Sequence, residues 1–83
     1  MKIIYFSWVR EKIGKPEEEL SLPSSVKTIA DLLNFLKQKD DVYLEAFKQP
    51  ELIRVAIDHV YHEHDASIID AKEIALFPPM TGG

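Results

Sequence analysis

The chain has 83 residues, 46% of them apolar, with a formal net charge of -4 and a pI near 5.2. That length supplies one small domain, and an acidic balance with no concentration of Lys and Arg argues against a nucleic-acid groove. Cysteine is absent, which excludes disulfides, thiolate metal sites and a cysteine nucleophile; with no leader-like or bilayer-length apolar segment, a cytoplasmic protein without a membrane partner is expected.

Residues 1–9 predict a first strand. Ile3, Tyr5 and Val9 fall on one face and Ile4, Phe6 and Trp8 on the other. Both faces are apolar, so one meets the core and the second is either covered or left for a partner. Residues 15–23, where Leu20 and Leu22 alternate with Glu19 and Ser21, predict an antiparallel second strand joined through a loop around Ile13 and Gly14. The run Glu17, Glu18, Glu19 reads as a solvated strand edge that discourages aggregation.

Thr28 and Asp31 resemble a capping box, and Ile29, Leu32, Leu33 and Leu36 follow at the i, i+3, i+4, i+7 spacing of a helix over residues 29–38. A shorter helix over 42–48 stops before Pro50, whose ring removes a donor and restricts Gln49. Ile53, Val55 and Ile57 define one face of a third strand over 52–58. Asp58 and His59 suit a turn, Val60 and Tyr61 a short return strand, and Ser67 to Asp70 a loop or single turn. Residues 73–77 form the last strand, ended by Pro78.

Hairpin-joined strands with one main helix laid over one sheet face predict an α+β roll with mixed pairing, the pattern of the ubiquitin-like β-grasp; ferredoxin-like arrangements use similar pieces. Residues 1–83 are expected to form a single domain, with 78–83 as a protruding, flexible tail.

Chemistry is scarce along the chain. His59, His62 and His64 invite a metal reading, but in a strand His59 points away from the other two and no further ligand motif is present, so a polar hairpin is expected and no metal. Ser24 and Ser25 lack triad partners, and Gly14 stands outside any phosphate loop. The tail "ALFPPMTGG" is the remaining unusual feature. Pro78 and Pro79 favour an extended exit, while Gly82 and Gly83, lacking Cβ atoms, suit a channel too narrow for other residues. A terminal carboxylate is a poor electrophile until activated, for example as an acyl-adenylate. A frayed, inert end is the competing account.

The segments "KIIYFSWVRE", "TIADLLNFL", "RVAIDHVY" and "EIALFPPMTGG" resemble the ubiquitin-like family of small, sulfur-carrier subunits of molybdopterin synthase, over essentially the whole chain. That resemblance implies a subunit with no catalytic constellation and no bound cofactor of its own. It implies that Gly83 is adenylated at the expense of ATP by a ubiquitin-activating-like adenylyltransferase and converted to a thiocarboxylate by a sulfur donor such as a cysteine desulfurase or rhodanese. The residues Pro78, Pro79, Met80, Thr81 and Gly82 then enter the large subunit, within an expected heterotetramer, and sulfur passes to cyclic pyranopterin monophosphate to build the molybdopterin dithiolene. Phe6, Tyr61 and Phe77 match positions that contact the large subunit. The diglycine alone is shared with carriers for thiamine or transfer-RNA thiolation and with protein modifiers, and a β-grasp binding module with an inert tail is the reading from another class. Where the family commonly has a glycine and an acidic residue before the last strand, this chain has Ala71 and Lys72, so a different turn is expected there.

Overall fold

The computed structural model describes residues 1–79. Strand β1 (Lys2–Tyr5) leads into helix α1 (Ser7–Ile13) and strand β2 (Glu17–Glu19); helices α2 (Ile29–Lys37) and α3 (Asp41–Phe47) follow. A 3-10 turn at Pro50–Leu52 then opens onto strands β3 (Arg54–Ile57), β4 (Val60–His62) and β5 (Glu73–Phe77). The strands form one mixed sheet in the order β2-β1-β5-β3-β4, with β1 parallel to β5 and the other pairs antiparallel. This is the ubiquitin-like β-grasp arrangement, with the first and last strands side by side in the middle of the sheet.

Helix α2 begins where the capping box places it. Asp31 N–H donates to Thr28 Oγ1 at 3.2 Å while Thr28 N–H donates back to Asp31 Oδ2 at 3.2 Å, which satisfies amides that the first turn leaves without partners. Its buried stripe of Ile29, Leu32, Leu33 and Leu36 joins Ile3 and Tyr5 of β1, Val55 and Ile57 of β3, and Ile74 and Leu76 of β5 in one core. Ile68, in the turn before β5, is also buried there.

The N-terminal segment departs from the predicted nine-residue strand. Ser7 takes a left-handed φ of 55°, which turns the chain out of β1, and residues 7–13 form α1. Val9 and Ile13, one helical turn apart, face the core, and Gly14 closes the helix at φ 89° with its N–H donating to Arg10 O. Trp8 therefore lies on a helix at the edge of the core, away from the strand face shared by Ile4. With three helices in place of one long helix and a short one, the chain has more covering material than its periodicity suggests.

The second strand is shorter than expected, and Leu20 and Leu22 pack against the core from the loop beyond it. Glu18 is a correction to the solvated acidic edge. Its carboxylate turns inward and receives the hydroxyls of Tyr5 and Tyr43, both at 2.6 Å, and the Lys15 ammonium at 3.2 Å. Burial raises its pKa, but those donors outweigh burial and hold the carboxyl below the ordinary glutamate range. Glu17 and Glu19 remain exposed.

The third strand starts at Arg54 rather than Leu52, because Pro50 sets a 3-10 turn ahead of it. Before β5, the missing glycine is no obstacle: the positive-φ residues other than glycine among the described residues are Ser7, Asp58 and His59, so Ala71 and Lys72 need no left-handed backbone. The loop is held instead from the β3–β4 turn, where Asp58 Oδ1 accepts the N–H groups of Lys72 and Glu73, each at 2.9 Å. The backbone donor of Glu73, followed by burial and the Lys72 amide, sets the balance that lowers the Asp58 pKa.

Candidate functional site

Strand parity divides the sheet into two unlike faces. On β1 and β5, Ile3, Tyr5, Ile74 and Leu76 point to the helices, so Lys2, Ile4, Glu73, Ala75 and Phe77 point the other way. Among the described residues no helix covers this second face. The register Ile4↔Ala75 and Tyr5↔Leu76 carries the two central strands in step toward Phe6 and Phe77, and Phe6 N–H donates to Leu76 O at 3.1 Å. Phe6 thus reaches the open face as predicted, although it does so from the extended residue capping α1 and not from within a strand.

Tyr61 arrives from the neighbouring hairpin. Its Cα partner on β3 is Ala56, which is itself opposite Ala75 on β5, so a single row crosses three strands. The Tyr61 and Phe77 rings lie 5.6 Å apart at 45°, a tilted aromatic contact. Small alanines in the row leave a recess, and Ile4, Phe6, Tyr61, Phe77, Pro78 and Pro79 wall it. Tyr61 is 76% exposed and Phe6 47%, large values for aromatic side chains with no chain packed over them. An exposed apolar recess of this kind is unusual on the surface of so small a domain.

The prolines stand where β5 leaves the sheet, at the rim of that recess. The expected tail residues Met80, Thr81, Gly82 and Gly83 lie outside the described residues.

The three histidines are used separately. His64 Nε2 lies 2.8 Å from Ile53 O, where the ring N–H donates to the carbonyl; His59 Nε2 lies 2.9 Å from Glu73 Oε1; His62 is exposed on β4. Among the described residues no group of three His, Asp or Glu side chains is disposed to hold a metal ion. Ser24 and Ser25 sit in an exposed turn. Glu73 also lines the recess, which sequence reading did not anticipate although its parity with Ala75 and Phe77 places it on the same face.

A model of the ThiS family matches residues 3–83. The chain belongs to the ThiS family. It resembles the molybdopterin synthase sulfur carrier subunits of Escherichia coli at 28% identity and of Haemophilus influenzae at 30%, in each case over 100% of this chain and 99% of the relative. The subunit of that name from Dictyostelium discoideum is 32% identical over 99% of this chain and 94% of the relative. Among solved structures, a Pyrococcus furiosus protein assigned as molybdopterin converting factor, subunit 1, superposes with a TM-score of 0.73 at 26% identity, covering 95% of both chains. SAMP1 from Haloferax volcanii superposes at 0.72, with 21% identity and coverage of 100% and 98%, a likeness of fold. No helix among the described residues of this ThiS-family chain is long and apolar enough to cross a membrane.

Proposed function

We propose that this chain is the sulfur carrier subunit of molybdopterin synthase, with Gly83 as the residue that bears the sulfur. The observation that carries the reading is the uncovered apolar recess of Phe6, Tyr61 and Phe77, which ends at the Pro78–Pro79 exit and so joins a docking surface directly to the segment that leads to the diglycine. Full-length likeness to three carriers of that name supports the same assignment.

In this reading the Gly83 carboxylate attacks the α-phosphorus of ATP on an activating enzyme and pyrophosphate leaves. Hydrosulfide attacking the acyl-adenylate carbonyl expels AMP and leaves the thiocarboxylate; a persulfide donor expels AMP to give an acyl disulfide, whose S–S bond a thiol then cleaves to the same thiocarboxylate with formation of the donor's mixed disulfide. The recess docks on the large subunit, Pro78 and Pro79 direct the tail away from the sheet, and Gly82 and Gly83 present the sulfur to cyclic pyranopterin monophosphate. Water restores the carboxylate once the sulfur has passed on. A dithiolene holds two sulfurs and each carrier has one terminal carboxyl, so each product consumes two loaded chains. The chain itself contributes docking and delivery, while ATP is consumed by the activating enzyme.

Intact mass tests the loading step. Incubation with the activating enzyme, ATP and a sulfur source should produce the oxygen-to-sulfur mass change, and deletion of Gly83 should abolish it with the fold retained. Absence of that mass change in the full-length chain overturns the carrier reading in favour of an inert tail. Supplying the loaded chain to the synthase large subunit and the pterin precursor should yield the dithiolene; transfer only to a thiamine or transfer-RNA acceptor would assign it to another sulfur route.

A further inference from the structure

The open face is apolar at one end and charged at the other. Lys2, aligned with Glu73 across β1 and β5, turns its ammonium to Glu17 at 3.5 Å, so that cation is engaged away from Glu73. Glu73 itself lines the recess with Ile4, Ala75 and Phe77, and its side chain is only 22% exposed. Its contact is His59, 87% exposed on a two-residue turn in which Asp58 and His59 take φ of 48° and 73°. An imidazole supplies a full positive charge only when protonated, and a neutral ring supplies a single N–H. The contact is to Oε1. The neighbouring Asp58 carboxylate adds negative charge and is committed to the Lys72 and Glu73 amides.

A purely apolar partner surface laid over this recess would strip water from Glu73 and return only what His59 donates. Carboxylates covered in that way are costly unless a charged donor meets them. An arginine or lysine meets the carboxylate's remaining acceptor capacity and its charge together, and arginine does so with a fork matched to a carboxylate.

We propose that Glu73 is the specificity-determining residue of the docking face, and that it selects a partner presenting an arginine or lysine bordered by apolar side chains. This rests on the reading of the face as the large-subunit docking surface and adds the charge that the other side must bring. His59 holds the Glu73 side chain toward the recess so that the cation meets a placed carboxylate. The apolar residues supply contact with many surfaces, and Glu73 rejects those without a cation.

Calorimetric titration of the full-length chain with the synthase large subunit, at low and high salt, tests this. Glu73→Gln should weaken binding by about tenfold and flatten its salt dependence, and Glu73→Lys should weaken it by about a hundredfold. Phe6→Ala should weaken it with the salt dependence kept. Exchange of the facing cation on the large subunit for Glu should restore binding to Glu73→Lys. Thermal melts of each variant check the fold, and Glu73→Gln keeps the side-chain shape if the reversal does not fold. If Phe6→Ala weakens binding while both Glu73 variants match the parent in affinity and salt response, charge selection is overturned and the docking face stands. If none of the three has an effect, the docking face falls too. Self-association of the isolated chain that Glu73→Lys abolishes would assign the face to a second copy and overturn the proposed partner.

Discussion

The Tyr43 hydroxyl donates to Glu18 Oε2 across 2.6 Å, joining helix α3 to strand β2 over 25 residues of sequence. Tyr5 on β1 donates to the same oxygen, so one carboxylate ties a sheet edge to the helical layer. Burial, and then the Glu18 contact, raise the Tyr5 pKa far above its ordinary value, which keeps the hydroxyl a donor. Removing the acceptor strands it. Glu18→Ala should cost about 1–3 kcal/mol, the desolvation penalty of an orphaned buried donor, and Glu18→Gln less because its amide oxygen still accepts. Urea unfolding of the variants measures this.

The same carboxylate makes the fold acid-sensitive. Its folded pKa lies below the ordinary glutamate value of 4.5, so its contribution is present at pH above that value and is lost as pH falls through the lower folded pKa. Urea midpoints should therefore drop in that acidic window for the parent and less steeply for Glu18→Gln. A parallel decline in the two proteins would assign the acid response to other carboxylates, such as Asp31 and Asp58, whose pKa values are also lowered.

Leu76 and Phe77 are adjacent in sequence and opposite in consequence. Leu76 is fully buried, and Leu76→Ala should destabilise the domain by about 2–5 kcal/mol through lost burial and a cavity. Phe77 is half-buried on the open face against Tyr61. Phe77→Ala should leave the melting transition near the parent's and weaken large-subunit binding by about 2 kcal/mol, the scale of an aromatic hot spot. Unfolding of Phe77→Ala in isolation would place that ring in the core instead.

Asp58 replaces a glycine turn with a carboxylate clamp. Asp58→Ala removes the acceptor for two amides at the start of β5 and puts Ala at a φ of 48°, so its urea midpoint should fall, with faster hydrogen exchange at Lys72 and Glu73. Asp58→Asn, which keeps an oxygen acceptor and tolerates the left-handed region, should recover most of the loss. Equal damage from both would mean that the carboxylate's charge, rather than its acceptor geometry, holds the loop.

Thr28→Ala tests the main helix by itself. Loss of the side-chain acceptor for Asp31 N–H should cost about 0.5–2 kcal/mol, seen as a lower urea midpoint at unchanged slope.

Much of the molecule is legible in local patterns. The capping box and its apolar stripe locate α2 to within one residue, the alternation of Ile74 and Leu76 locates β5, and the parity of Phe77 against both places its ring on the far face. These readings succeed because helix and strand periods are properties of neighbouring residues. Residues 2–5 form the expected strand, but residues 7–9 were not legible in that way. Ile3, Tyr5 and Val9 satisfy a strand's parity, yet Val9 and Ile13 also satisfy a helical turn, and the left-handed φ of Ser7 that decides between them has no glycine to announce it.

By itself, the amino-acid sequence determined the order of the five strands and of helices α2 and α3, the absence of cysteine chemistry and the aromatic, proline and glycine succession of the tail. Each is written in composition or in spacing of a few residues. Tertiary structure decided that Glu18 turns inward to two tyrosines, that Asp58 secures the loop before β5, and that Phe6, Tyr61, Phe77 and Glu73 share one uncovered face. Those relationships join side chains from separated strands and turns, and their partners are set by sheet register and strand order, which no single stretch of the chain contains.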